Sequence, residues 1–235
     1  DNRKNHYFCR ILKNINMGWF KHKRYTIKDL NTPSRKIKSA SRDRFKIAII
    51  DDEDFVFLEE LRKSGFDIRK YDDALDLQMF DSYPIIICDI KGVGKDFKSP
   101  MGGAFLIREL KKKYPLKAYA AYTGSTYDIS INNYLEGVSI IKKDIEIDDW
   151  CIEIDNLIRN ISDPKEVWLK IRDILLKEEV DLISLANLED EYVDIILNKN
   201  GDFHNFPSAK KENTLNPDVR AVVQSLVAGI ILNTL

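Results

Sequence analysis

Four apolar runs in this sequence stop at residues that can handle phosphoryl or metal chemistry. Phe45 to Ile50 (FKIAII) ends at Asp51 and Asp52, IIIC ends at Asp89, AYAAY ends at Thr123, and Val138 to Ile141 ends at Lys142 and Lys143. Three carboxylates brought to one place repel each other, and a hard divalent cation with a preference for oxygen, Mg2+, relieves that repulsion. One carboxylate can then attack phosphorus and form an acyl phosphate, while a hydroxyl and an ammonium from neighbouring segments offset the charge on its oxygens. Thr123 and Lys143 carry those groups, with Lys142 the alternative if the last run ends one residue earlier. His6, His22 and His204 are isolated, and Cys9, Cys88 and Cys151 form no CxxC pair, so neither a zinc site nor a disulfide framework is expected. Cys88 alternates with Asp89 along its run and is expected to be buried and unreactive.

For these residues to meet, the runs must be parallel strands whose carboxyl ends share one edge of a sheet. The segments between them read as the required crossovers. Phe55, Leu58 and Leu61 fall at three-residue spacing ahead of Ser64-Gly65, Phe66 to Tyr71 reads as a further strand, and Asp73 to Phe80 as a short helix. A glycine-rich loop, KGVGKDFKSPMGG, follows Ile90; helix is expected around Ala104 to Lys113 and again in a short stretch up to Glu136. Ile147, Trp150, Cys151, Ile154, Leu157, Ile158 and Ile161 keep helical spacing. Five strands alternating with helices predict an α/β fold, a five-stranded parallel doubly wound, flavodoxin-like sheet with helices on both faces, followed by a C-terminal all-α region.

In their order and spacing, IIDDE, IICDI, AYTGS and SIIKKD resemble the receiver domains of two-component response regulators, over about Phe45 to Ile161. The resemblance implies that Asp51 and Asp52 hold Mg2+, that Asp89 accepts the phosphoryl group and also ligates the metal, and that Lys91 offers its backbone carbonyl. Thr123 and Lys143 would contact the phosphoryl oxygens. It also implies a phosphoryl source, either a histidine kinase or a small phosphodonor, and no chemistry beyond self-phosphorylation and self-dephosphorylation. Two positions depart from the pattern: Asp144 stands where the family has proline, and Ile140 where it has an aromatic switch residue. The loop from Lys91 to Gly103 is longer than the family's turn and is expected to cover Asp89 or to serve as a docking surface. Two alternatives stand beside this reading. One is a degenerate receiver that binds a protein partner without phosphorylation. The other is a phosphatase similar to the haloacid dehalogenases, since Asp52-Glu53-Asp54-Phe55-Val56 resembles their first motif and Thr123, Lys143 and Asp148-Asp149 follow in order. Only four residues separate Lys143 from Asp148, too few for the extra strand of that family, and Asp89 is left without a role.

Charge divides the chain in three beneath a formal net charge of −1. Residues 1–46 carry +11, residues 47–159 carry −7 and residues 160–235 carry −5. The expected organisation is a basic N-terminal extension over 1–44, a receiver-like domain over 45–161 and a helical output or interaction domain over 162–235. In the extension, Trp19, Phe20 and Tyr25 lie among Lys21, Lys23, Arg24 and Lys28, a composition that can bind nucleic acid by gripping phosphates and stacking on bases, or lie against anionic lipid. The alternative is a basic segment lying against an acidic body, and it is the stronger of the two. In the last third, Asp163-Pro164-Lys165-Glu166 starts a helix with Val167, Trp168, Ile171, Ile174 and Leu175 on one face, and helical pattern resumes from Leu182 to Leu197. Asn216-Pro217-Asp218 reads as another cap, ahead of Val219, Val222, Val223, Leu226, Val227, Ile230 and Ile231. A protein partner is expected through this helical region. No apolar run reaches the length of a membrane span, and the three cysteines suit a reducing cytoplasm.

Overall fold

The computed structural model describes residues 23–31, 42–124, 129–208, 215, 217, 219–224 and 226. Five short strands, β1 (Lys46–Ile50), β2 (Asp67–Tyr71), β3 (Ile85–Asp89), β4 (Ala118–Thr123) and β5 (Ser139–Lys142), form one sheet. Every pairing is parallel and the order is β2-β1-β3-β4-β5, the doubly wound order of flavodoxin-like folds. Among the described residues, α-helices run over α1 (Leu58–Lys63), α2 (Gly102–Lys113), α3 (Ile147–Ser162), α4 (Pro164–Lys177) and α5 (Leu182–Asn198), and residues 217, 219–224 and 226 are helical as well. Among the described residues no helix is long and apolar enough to cross a membrane.

Alternation along the strands sends each apolar run to both faces of the sheet. Ile47, Ile49, Ile85, Ile87 and Ala120 pack on α1 and α3, where Leu61, Trp150, Ile154 and Leu157 are buried. Ala48, Ile50, Ile86, Cys88 and Ala121 pack on the other face against Ala104, Ile107 and Leu110 of α2. Among the described residues, that second face is covered by one α-helix and by two 3-10 turns, Leu77–Phe80 and Ile129–Asn133. The sequence predicts a helix from Asp73 to Phe80, but only its last turn forms. Asp76 caps that turn by accepting from the Met79 N–H (3.1 Å), whereas Asp73 accepts from Ala74 and from the distant Gly94 and Lys95 N–H groups, which draws the chain before it out of helical register. Part of the helical stretch expected before Glu136, residues 125–128, lies outside the described residues.

A third apolar cluster gathers Trp168, Ile171 and Leu175 of α4 with Leu188, Tyr192 and Val193 of α5. The predicted cap is present: the Asp163 carboxylate accepts from the Lys165 N–H (2.8 Å), with Pro164 in the first turn. Val219, Val223 and Leu226 add to this cluster; Asn216, Asp218, Val227, Ile230 and Ile231 lie outside the described residues. Two further contributors come from far away in sequence. Leu116, in the loop between α2 and β4, is buried here, and Tyr25, Ile27 and Leu30 of the N-terminal segment pack on the cluster. That segment is pinned by carboxylates of α5, since Asp190 accepts from the Tyr25 N–H (2.8 Å) and Glu189 from the Ile27 N–H (3.0 Å). Tyr25 is thereby committed to packing. Trp19, Phe20 and Lys21, the rest of the expected base-stacking set, lie outside the described residues.

Candidate functional site

The carboxyl edge of the sheet collects Asp51 and Asp52 after β1, Asp89 at the end of β3, Thr123 at the end of β4 and Lys143 after β5. Asp51 follows β1 directly, and its N–H donates to the Tyr71 carbonyl (2.9 Å), so the ladder to β2 holds its backbone. Asp89 is the last residue of β3. Both are nearly fully buried, at 3% and 4% exposure, whereas Asp52 faces solvent. One carboxylate oxygen from each of the three lies within 4.8 Å of the others. At such separations like charges cost energy unless each finds a partner.

Each does find one. Lys143 donates to Asp89 Oδ2 at 2.6 Å, Lys95 donates to Asp52 Oδ2 at 3.0 Å, and the Tyr122 hydroxyl donates to Asp51 Oδ2. Backbone groups serve the second oxygen of each buried acid: Asp51 Oδ1 accepts from the Glu53 N–H (2.9 Å) and Asp89 Oδ1 from the Lys91 N–H (3.3 Å). Burial alone would pull the Lys143 ammonium down, but the hydrogen bond and charge of Asp89, with Asp51 and Glu53 adding, hold it above the ordinary lysine value. Burial, then the hydrogen bond and charge of Asp51, push the Tyr122 phenol well above the tyrosine range, so it remains a donor. Register sends the two adjacent lysines to different places. Lys142 pairs with Thr123 and is exposed, while the Lys143 N–H extends the ladder to the Thr123 carbonyl (2.9 Å) and its side chain reaches Asp89.

Thr123 is buried at 5% exposure and ends β4. Together with Asp52, Glu53, Asp89, Lys91, Gly92, Gly124 and Lys143 it lines a cleft of about 420 Å³. Two glycines let the backbone close on the acids. A Cβ at Gly92, whose φ is +79°, would sit 2.0 Å from an Asp52 oxygen, and one at Gly103 would sit 1.7 Å from the Asp89 carbonyl oxygen. Cys88 is fully buried, as expected; burial and the neighbouring Asp89 charge push its thiol up, which keeps it protonated and inert.

Sequence reasoning missed Tyr122, Lys95 and Asp73. Tyr122 was hidden inside an apolar run, although its register opposite Asp89 puts it on the face shared by Asp51 and Asp89. Asp54, part of the phosphatase-like motif, is exposed, and the carboxylates that converge are Asp51, Asp52 and Asp89. The donor chemistry suits a hard divalent ion, because three carboxylates face only two ammonium groups and leave a negative charge at the mouth of a polar cleft.

No family model matches the chain, and no curated protein does. Among solved structures the chain is similar to a response regulator receiver domain protein from Clostridium thermocellum, with 26% identity over 49% of this chain and 95% of that one and a TM-score of 0.41. It is also similar to the signal receiver domain of an HD domain-containing protein from Pseudomonas fluorescens Pf-5, with 16% identity over 56% and 98% of the two chains and a TM-score of 0.44. A response regulator from Burkholderia pseudomallei, solved with a phosphorylated aspartic acid, a calcium ion and citrate, matches with 19% identity over 60% and 89% of the two chains and a TM-score of 0.38.

Proposed function

We propose that this protein is a phosphorylation-responsive signalling protein of the two-component type, with Asp89 as the phosphoacceptor. The observation that carries the reading is the convergence of Asp51, Asp52 and Asp89 with the Lys143 ammonium already seated on Asp89. Asp51, Asp52, Asp89 and the Lys91 carbonyl would hold Mg2+, which supplies positive charge to phosphoryl oxygens when bound. An Asp89 oxygen attacks the phosphorus of a partner phosphohistidine or a small acyl phosphate, the new O–P bond forms as the donor's bond to phosphorus breaks, and the donor leaves with that electron pair. Lys143, displaced from the carboxylate it now pairs, and Thr123, at the same cleft, take up the charge on the transferred group.

The division we favour is a basic extension over 1–44, a receiver-like domain over 45–161 and a helical output or interaction domain over 162–235. A relay between the last two is available without an aromatic residue at Ile140. The Gly103 N–H, in the first turn of α2, donates to the Ile90 carbonyl (3.0 Å) beside Asp89, and the loop leaving the same helix buries Leu116 in the helical cluster. A cytoplasmic location accords with this chemistry, because it needs a phosphodonor and Mg2+ on the same side of the membrane.

Incubation with Mg2+ and a small acyl phosphate, followed by trapping of the acyl phosphate and mass mapping, tests the proposal. Label on Asp89 is the expected result. Label on Asp52 would replace it with the phosphatase reading. Absence of label with every donor would favour the second reading, a binding module that works without phosphorylation. One observation favours that alternative: each of the three acids already has a hydrogen-bond partner from within the chain, Tyr122 for Asp51, Lys95 for Asp52 and Lys143 for Asp89.

A further inference from the structure

We infer that Lys95 is a built-in counter-cation of the acidic site, and that a divalent ion enters by displacing it from Asp52. The inference rests on the divalent-cation reading above and concerns a residue that lies outside the set read from the sequence. Lys143 pairs with Asp89 from the rigid end of the sheet, but Lys95 belongs to the long loop between β3 and α2, and it reaches back over 43 positions to Asp52 at 3.0 Å. Its backbone is held for this. The Asp73 carboxylate accepts from the Gly94 N–H at 2.5 Å and from the Lys95 N–H at 3.2 Å, so the loop is tied to the segment after β2 at the residue whose side chain makes the pair. Gly92, with its backbone against the Asp52 carboxylate, leaves no space for a side chain between loop and acid.

The pair is built to be exchanged. The Lys95 side chain is 65% exposed and that of Asp52 is 32% exposed, so the ammonium is held weakly compared with Lys143 and can return to water. A neighbouring cavity of about 570 Å³, lined by Lys95, Ser99 and Met101 among others, gives the side chain room to leave. Charge accounts for the direction of the exchange. With both lysines in place the three acids keep one uncompensated negative charge; a divalent ion in place of Lys95 brings the sum to zero, whereas the ion with Lys95 still paired leaves an excess positive charge. The position of the Lys95 side chain is therefore coupled to occupancy, inward when the acids are bare and outward when the ion is bound.

Titration of the full chain with Mn2+, counting the free ion by electron paramagnetic resonance, tests this in the parent, Lys95→Gln and Lys98→Gln. Lys98 is an exposed lysine of the same loop, so its variant carries the same change in net charge without the pair. Lys95→Gln should tighten the dissociation constant about two- to fivefold relative to Lys98→Gln, the range expected for an exposed ion pair. Binding that is measurable in Lys95→Gln but not in the parent also supports the inference. Equal constants in all three proteins would overturn it and leave the metal site standing; uptake by none of them would overturn both. Labelling of lysine amines in the parent with acetic anhydride gives an independent reading. Mg2+ should raise the modification of Lys95 relative to Lys98, and a ratio that is unchanged or lower would contradict displacement.

Discussion

The Tyr122 hydroxyl on β4 donates to Asp51 beyond β1, reaching past Asp89 on the strand between them. Tyr122 is fixed in turn by edge-on packing with Phe55 and Trp150, whose ring centroids lie 5.8 and 5.7 Å away. One aromatic residue thus ties Asp51, one of the two buried acids of the site, to the core beneath the sheet. Tyr122→Phe keeps the ring and removes the donor. A hydrogen bond to a buried charged acceptor contributes roughly 1.5–3 kcal/mol, so the melting temperature without metal should fall by about 3–12 °C for a chain of this size. The Mg2+ increment should grow, because the ion then also satisfies Asp51. Thermal unfolding with and without Mg2+ checks both signs, and an unchanged melting temperature would show that the hydroxyl does not hold Asp51.

Asp89→Asn tests the trio from the other side. With a Kd of about 1 mM and 10 mM Mg2+, mass action stabilises the parent by roughly 1.4 kcal/mol, or about 3–6 °C. The variant should lose most of that increment. From the sequence alone its metal-free stability would be expected to rise through relief of carboxylate repulsion; the structure tempers this, because the same substitution deprives Lys143 of its partner. The metal-free change should therefore be small, and the loss of the Mg2+ increment is the diagnostic. An increment equal to that of the parent, with NaCl-matched controls, would mean that Asp89 does not contribute to cation binding.

The site was legible to the extent that it sits at strand ends. Asp51, Asp52, Asp89, Thr123 and Lys143 each follow an apolar run, and a parallel sheet must bring such ends together, so types and order sufficed. Tyr122 and Lys95 were not legible, for different reasons. Tyr122 acts through register and facing across three strands, which a single run does not specify. Lys95 acts through the path of a loop that is decided by Asp73, 22 positions away. The same limit applies to the N-terminal segment: its net positive charge is visible in the sequence, but its docking on α5 through Tyr25, Ile27 and Glu189 depends on pairs more than 160 residues apart.

Alkaline pH should weaken the fold through two groups of the site. Both Lys143 and Tyr122 have folded-state values raised above their ordinary ones, Lys143 because Asp89 outweighs its burial and Tyr122 chiefly by burial. The folded state therefore binds their protons more tightly than the unfolded chain, and the associated stability is fully present below about pH 10 and is lost as pH rises further. Tyr122→Phe should lose less stability than the parent between about pH 10 and 11.5. Parallel curves from urea unfolding across that window would refute this assignment.

Lys170 on α4 has the opposite sign. Burial lowers it to about 8, with Glu166 opposing and Lys111 of α2 adding to the depression. Between about pH 8 and 10.5 the unfolded chain binds this proton while the folded one does not, so the contribution of Lys170 to stability rises with pH. Lys170→Met retains the apolar stem and removes the charge. It should stabilise the protein at pH 7 by on the order of 1–3 kcal/mol, and the advantage should shrink toward pH 10.5. A pH-independent difference would indicate a packing effect alone.

Leu116 is where the sheet unit enters the helical cluster, and its truncation separates packing from relay. Leu116→Ala in a buried site should cost about 2–4 kcal/mol, read as a drop in the urea midpoint. If α2 carries the state of Asp89 to the helices, Mg2+ with a phosphodonor should alter amide hydrogen exchange in α4 and α5 of the parent, and this change should be reduced in Leu116→Ala while Asp89 is still labelled. Gly103→Ala probes the other end of the same helix. A Cβ there collides with the Asp89 carbonyl, so the helix must shift away from the site, and both labelling and the exchange response should fall together. An exchange response in α4 and α5 that survives Leu116→Ala intact would place the coupling elsewhere, because Leu116 is the residue between α2 and β4 that is buried in the cluster.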